Sequence, residues 1–113
     1  MSLEQTINIS QILHDRLKVS EAVIEAFCHK WNIVEFALFG SVLREDFRDD
    51  SDIDVLVVFG QPHDPSLSGW LDIREEIEAI FGRKVDLIQK KLLKNPYSKA
   101  EILRSHQVIY VRE

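Results

Sequence analysis

The chain has 113 residues, 45% of them hydrophobic, enough apolar material for a single core and one domain over residues 1–113. Its formal charge of −5 argues against direct nucleic-acid binding, and its one cysteine, Cys28, rules out an intrachain disulfide and suits a reducing cytosol. No apolar run approaches the roughly 20 residues of a membrane span, and Met1-Ser2-Leu3-Glu4 lacks a basic signal-peptide start, so a soluble, cytoplasmic protein with no membrane partner is expected.

Residues 1–19 are the least defined: Ile9, Ile12, Leu13 and Leu17 have helical spacing, and Asn8 or Ser10 could start the helix. Ser20 fits an N-cap, with Glu21 placed to suit the helix dipole. Ala22, Val23, Ala26, Phe27 and Trp31 then predict an apolar stripe on a helix over 20–31, ended by Asn32. Ile33 to Phe39 reads as a first strand. Val42 to Glu45 predicts a short helical turn, and Arg48 to Ser51 a polar turn.

A second strand is predicted over 52–59, followed by a loop at Gly60 to Ser66, where two prolines break regular structure. Leu67, Trp70, Leu71, Ile77, Ile80 and Phe81 recur at helical intervals, and Gly82 supplies a stop. Lys84 to Ile88 is a third strand. Gln89 to Leu93 allows a turn of helix, which Asn95-Pro96 is expected to interrupt, and Ser98 could cap a last helix through about Ser105. Val108 to Val111 closes the chain as an edge strand. The pattern is α+β, a small sheet with helices packed on it.

Chemistry concentrates in residues 36–59. Side chains alternate along a strand, so Asp52 and Asp54 project to the same side. Two such carboxylates repel one another unless a cation sits between them, and acidic oxygens on a rigid element suit Mg²⁺. Asp54 lies within an apolar strand, where an unpaired carboxylate is costly to bury. Gly40-Ser41 offers a backbone that can approach a ligand closely and a small hydroxyl at a turn where N–H groups can face an anion. Each feature also has an ordinary reading. Asp-Asp-Ser-Asp is common turn chemistry, Gly-Ser usually marks a turn, and Asp86, on the third strand, could pair with Arg83 or point outward.

Gly40-Ser41, ten intervening residues and then Asp52-x-Asp54 resembles the signature of the DNA polymerase β-like nucleotidyltransferases. The compact length is similar to that of the minimal nucleotidyltransferases, the MntA-type antitoxins that accompany HEPN toxins. The resemblance runs from about Phe27 to Gln89. It implies a mixed, partly antiparallel sheet and a carboxylate triad, Asp52, Asp54 and Asp86, holding two Mg²⁺ ions, with Asp86 placed to accept a proton. It further implies that Gly40 and Ser41 hold the ATP phosphates, with Arg44 one helical turn on as a further phosphate ligand; Arg48 is a weaker candidate.

The activity the resemblance implies is Mg²⁺-dependent transfer of AMP from ATP to a tyrosine of a partner HEPN ribonuclease toxin, in an antitoxin role. No segment reads as an acceptor-binding domain, so the acceptor is expected in trans. Alternatives stay open: an antitoxin that works by complex formation without catalysis, or a nucleotidyltransferase for a small molecule or an RNA end. The four histidines, His14, His29, His63 and His106, show no ligand spacing. Trp31, Trp70 and Cys28 are expected to pack, and Lys90-Lys91-Leu92-Leu93-Lys94 to form a solvated amphipathic segment.

Overall fold

The computed structural model describes residues 9–60 and 65–112. The expectations for residues 1–8, with Asn8, and for the middle of the Gly60–Ser66 loop, with His63, lie outside the described residues. The chain begins with a helical turn at Ile9–Ile12 that widens into a π-turn over Leu13–Leu17. Helix α1 (Glu21–Lys30) follows, then strand β1 (Ile33–Phe39), a 3₁₀ turn (Gly40–Leu43) and strand β2 (Ile53–Phe59). Helix α2 (Leu67–Phe81) leads into strand β3 (Val85–Gln89), and helix α3 (Pro96–Ser105) into strand β4 (Gln107–Val111).

The four strands form one mixed sheet in the order β3-β2-β1-β4. β1 runs antiparallel to both β2 and β4, whereas β2 and β3 are parallel. The antiparallel pair needs only the connection over residues 40–52, while the parallel pair needs a crossover, which α2 supplies. Among the described residues β1 and β2 are therefore the interior strands, and β3 and β4 the edges.

The two faces of the sheet are covered unequally. One carries Phe36, Leu38, Ile53, Val55 and Val57 against α1, α2 and the N-terminal turns, in the larger core. Phe36 is fully buried there, in edge-on ring contacts with Phe27 and Phe81. On the other face the buried cluster is Ala37, Phe39 and Leu56, packed by Ile88, Leu93, Ile102 and Leu103. Strand parity places Asp54 with Leu56 and Asp86 with Ile88, so both acids stand on this sparsely covered face.

Local chemistry explains most boundaries. The Ser20 hydroxyl accepts from Val23 N at 3.3 Å, and Asn32 takes a left-handed φ of 58° just beyond α1. Ser66 caps α2 by accepting from Gly69 N, and Gly82 ends that helix at φ 68°. Three expectations need correction. On α1 the buried side chains are Ile24, Phe27 and Cys28, and Ala22, Val23 and Ala26 are exposed, because the larger side chains face the sheet. On α2 Leu67 and Leu71 are exposed and Ile73 is buried. The turn expected after Gln89 is a 3₁₀ turn over Lys90–Leu92, but α3 is capped by Asn95 and not by Ser98: Asn95 Oδ1 accepts from the Tyr97 and Ser98 amides, and Pro96 sits at the first turn, where its missing N–H costs nothing.

Among the described residues no helix is long and apolar enough to cross a membrane. Trp31 and Trp70 pack against the core, Trp31 also donating to Glu76. His14 is exposed beside Asp15, His29 meets the Tyr110 ring edge-on, and His106 contacts the Leu103 carbonyl through Nδ1.

Candidate functional site

The site begins where β1 ends. Phe39 pairs with Asp54 across the β1–β2 ladder, and Asp54 is in register with Asp86 across the β2–β3 ladder. Gly40, at φ 79°, turns the chain away directly above Asp54. A Cβ at position 40 would collide with Asp54 Oδ2, so the carboxylate fills the space that the glycine leaves. The turn and the acid are therefore neighbours in contact, although 14 residues apart in sequence (54 − 40).

The electrostatics follow from that crowding. Burial, then the negative charges of Asp86 and Asp52, push the Asp54 carboxyl up to about 6 from an ordinary 3.8, against a smaller opposing pull from Arg44. Asp52 and Asp86 are exposed. Asp52 and Asp86 both act on Asp54, yet among the described residues no three His, Cys, Asp or Glu side chains close around a common point. Asp86 forms no ion pair with Arg83: that guanidinium turns to the Arg48 and Ser51 carbonyls instead.

A divalent cation fits this donor set on two grounds. The groups are carboxylate oxygens, which suit hard cations such as Mg²⁺, and burial with the neighbouring Asp86 and Asp52 charges raises Asp54 in a way that Arg44 offsets only in part. Ser41 is half-buried in the 3₁₀ turn, whose helical region opens at Gly40 and not at Val42 as expected. Arg44 is exposed, with Nε 3.1 Å from Asp46 Oδ1, and it lines a groove of about 400 Å³ with Gly40, Leu43, Glu101, Arg104 and Ser105. The polar side of α3 thus forms the far wall of the space beside the turn, a contribution that the sequence did not signal. Lys90 reaches across the same sheet face to Glu35 at 2.9 Å, which ties down the start of the lysine-rich segment.

Residues 20–109 match the nucleotidyltransferase domain family. The chain belongs to that family. Among relatives of this nucleotidyltransferase, MJ1379 of Methanocaldococcus jannaschii, assigned as a protein adenylyltransferase, is 44% identical over 82 residues, or 73% of this chain and 80% of that one. The protein adenylyltransferase MntA of Thermococcus cleftensis is 38% identical over 82 residues, covering 73% and 78%. A solved minimal nucleotidyltransferase superposes with a TM-score of 0.66 at 26% identity, over 85% of this chain and 93% of the other. A chain from a toxin–antitoxin complex with AMP-PNP also gives 0.66, over 84% and 76%, and at 15% identity that likeness is one of fold. The mixed sheet with helices packed on it is thus the fold of a nucleotidyltransferase, an enzyme.

Proposed function

We propose that the chain is a Mg²⁺-dependent protein adenylyltransferase, cytoplasmic, acting as the antitoxin partner of a HEPN-family ribonuclease toxin. The observation that carries the reading is the contact between Gly40 and Asp54, with Asp86 in register beside it. It brings the Gly40-Ser41 turn beside the carboxylates, which supports reading them as one site. Two relatives bear the name protein adenylyltransferase over 73% of this chain, and one solved neighbour is a tri-AMPylated HEPN toxin in complex with its antitoxin.

In this reading Gly40 and Ser41 hold the β- and γ-phosphates of ATP through backbone N–H groups and the Ser41 hydroxyl, with Arg44 adding charge at the rim. Asp52, Asp54 and Asp86 would hold Mg²⁺, which supplies charge neutralisation at the triphosphate and acidifies the acceptor hydroxyl. The acceptor, a tyrosine of the toxin, attacks the α-phosphorus; the new O–P bond forms as the bond to pyrophosphate breaks. Asp86, exposed on the edge strand, takes the hydroxyl proton. Added phosphate charge near the toxin's own site would repel RNA, whose binding depends on phosphate electrostatics.

The test is intact-mass spectrometry of the toxin after incubation with this protein, ATP and Mg²⁺. Increments of one or more AMP units are expected with the wild type and none with Asp52→Asn. An unchanged mass together with a silenced toxin would transfer the reading to occlusion by complex formation.

A further inference from the structure

The connection from Gly40 to Asp52 carries no regular structure after Leu43, yet both its ends bear candidate site residues. The β1–β2 ladder joins its ends at Phe39 and Asp54, and the loop between them is held by further contacts. Arg16, on the N-terminal π-turn, donates from Nη1 to the Val42 carbonyl at 2.7 Å and to the Arg44 carbonyl at 2.5 Å, at the close of the Gly40-Ser41 turn. Arg83, just before β3, donates from Nη1 to the Arg48 and Ser51 carbonyls, both at 3.0 Å, immediately before Asp52. Phe47 lies between them, its ring centroid 5.5 Å from the Arg16 guanidinium carbon and 4.6 Å from that of Arg83. Two cations thus grip one aromatic ring and four loop carbonyls, two at either end of the connection.

We infer that Arg16 and Arg83 are positioning residues for nucleotidyl transfer, which set the Gly40-Ser41 turn against the Asp52/Asp54 pair by clamping the loop that joins them. The inference rests on the proposed nucleotide site. Neither arginine needs to touch substrate. Charged donors on backbone carbonyls make stronger bonds than neutral ones, and a guanidinium over a ring adds a cation–π contact. Arginine suits the task because its planar fork loses little freedom when it is fixed. With either grip released, Ser41 would sample positions away from the carboxylates, and a triphosphate spanning the two would lose part of its binding.

Calorimetry of a non-hydrolysable ATP analogue with Mg²⁺ tests this on the full chain, with circular dichroism and thermal melts run on every variant. Arg16→Gln and Arg83→Gln are expected to weaken binding about tenfold, the loss of roughly one charged hydrogen bond. Arg16→Lys, which keeps a donor, should recover most of that affinity.

The decisive comparison is a double-mutant cycle with Ser41→Ala. If Arg16 acts by placing Ser41, Ser41→Ala costs about tenfold in the wild type and less than about twofold in Arg16→Gln or, should that variant not fold, in Arg83→Gln, while the Arg16→Lys background restores most of the cost. An equal cost in the wild type and in the glutamine variant, or unchanged affinity in both Arg16→Gln and Arg83→Gln, overturns the inference while leaving the nucleotide site intact. A wild type that binds no nucleotide overturns the proposed function, and this inference with it.

Discussion

Asp54 and Gly40 share one space: the Asp54 carboxylate occupies the volume that a side chain at position 40 would need, and Gly40 holds a φ of 79° that L side chains rarely adopt. Gly40→Ala therefore meets two obstacles at once, a collision and a strained backbone. Thermal denaturation should show a loss of about 1–3 kcal/mol, and ATP binding should fall more steeply than it does for a surface alanine substitution such as Glu45→Ala. Wild-type affinity in Gly40→Ala would mean that the turn is free to move away from Asp54.

The acids themselves should make stability depend on pH. Asp54 titrates near 3.8 when unfolded and is pushed up to about 6 in the fold. Between those values the native state keeps a proton that the unfolded state has released, so stability falls as pH rises through that window. The full shift corresponds to about 3 kcal/mol, and partial exposure trims it to about 1–2 kcal/mol. In the presence of a chelator, Asp54→Asn should thus be more stable than the wild type at pH 8 by roughly that amount, with the gap closing toward pH 4. Urea titrations at the two pH values decide it. A gap that is constant or of opposite sign counts against the crowded carboxylate.

Divalent cation should reverse the penalty. Mg²⁺ at pH 8 is expected to raise the wild-type melting temperature, because a ligand of the native state alone stabilises it by mass action. Asp54→Asn should respond little, and restoring the chelator should abolish the wild-type gain. Equal shifts in both proteins would place the cation elsewhere.

Cys28 is fully buried on α1, and burial pushes its thiol up to about 12. Iodoacetamide at pH 8 should leave the native thiol unmodified for hours and alkylate it promptly in urea. Rapid reaction of the folded protein would show that α1 opens on its own.

Asn95→Ala removes both cap bonds at the start of α3, at 2.9 and 3.2 Å, and should cost about 1 kcal/mol. Because Ile102 and Leu103 of that helix pack onto the sheet face that bears the acids, nucleotide affinity should decline with it. A full loss of stability with unchanged affinity would separate α3 from the site.

Much of this was legible in the sequence. The strands are short apolar runs, and Gly82 stops α2 where a left-handed residue is needed. The Gly40-Ser41 and Asp52-x-Asp54 pair could be read because parity along a strand fixes which face an acid takes. What stayed hidden depends on contacts between distant residues. Arg16 reaches Val42 across 26 positions, and Arg83 reaches Ser51 across 32, so neither has a local pattern to betray it. The stripe on α1 was misphased for a related reason: alanines and valine fit either side of a helix, and only the sheet decides which side is covered. Asn95-Pro96 carries a genuine ambiguity, since proline both ends helices and begins them.

Among the described residues β2, like β1, is hydrogen-bonded on both flanks, whereas β3 and β4 are each paired on one side. Its amides, Val55 to Val57 above all, should exchange with deuterium more slowly than those of the outer strands and only when the whole sheet comes apart. The strand that carries Asp54 would then, with β1, be among the last parts of the molecule to open. Fraying at the periphery can come and go without dismantling the chemistry at its centre, and the proposed site would be lost only when the protein itself is.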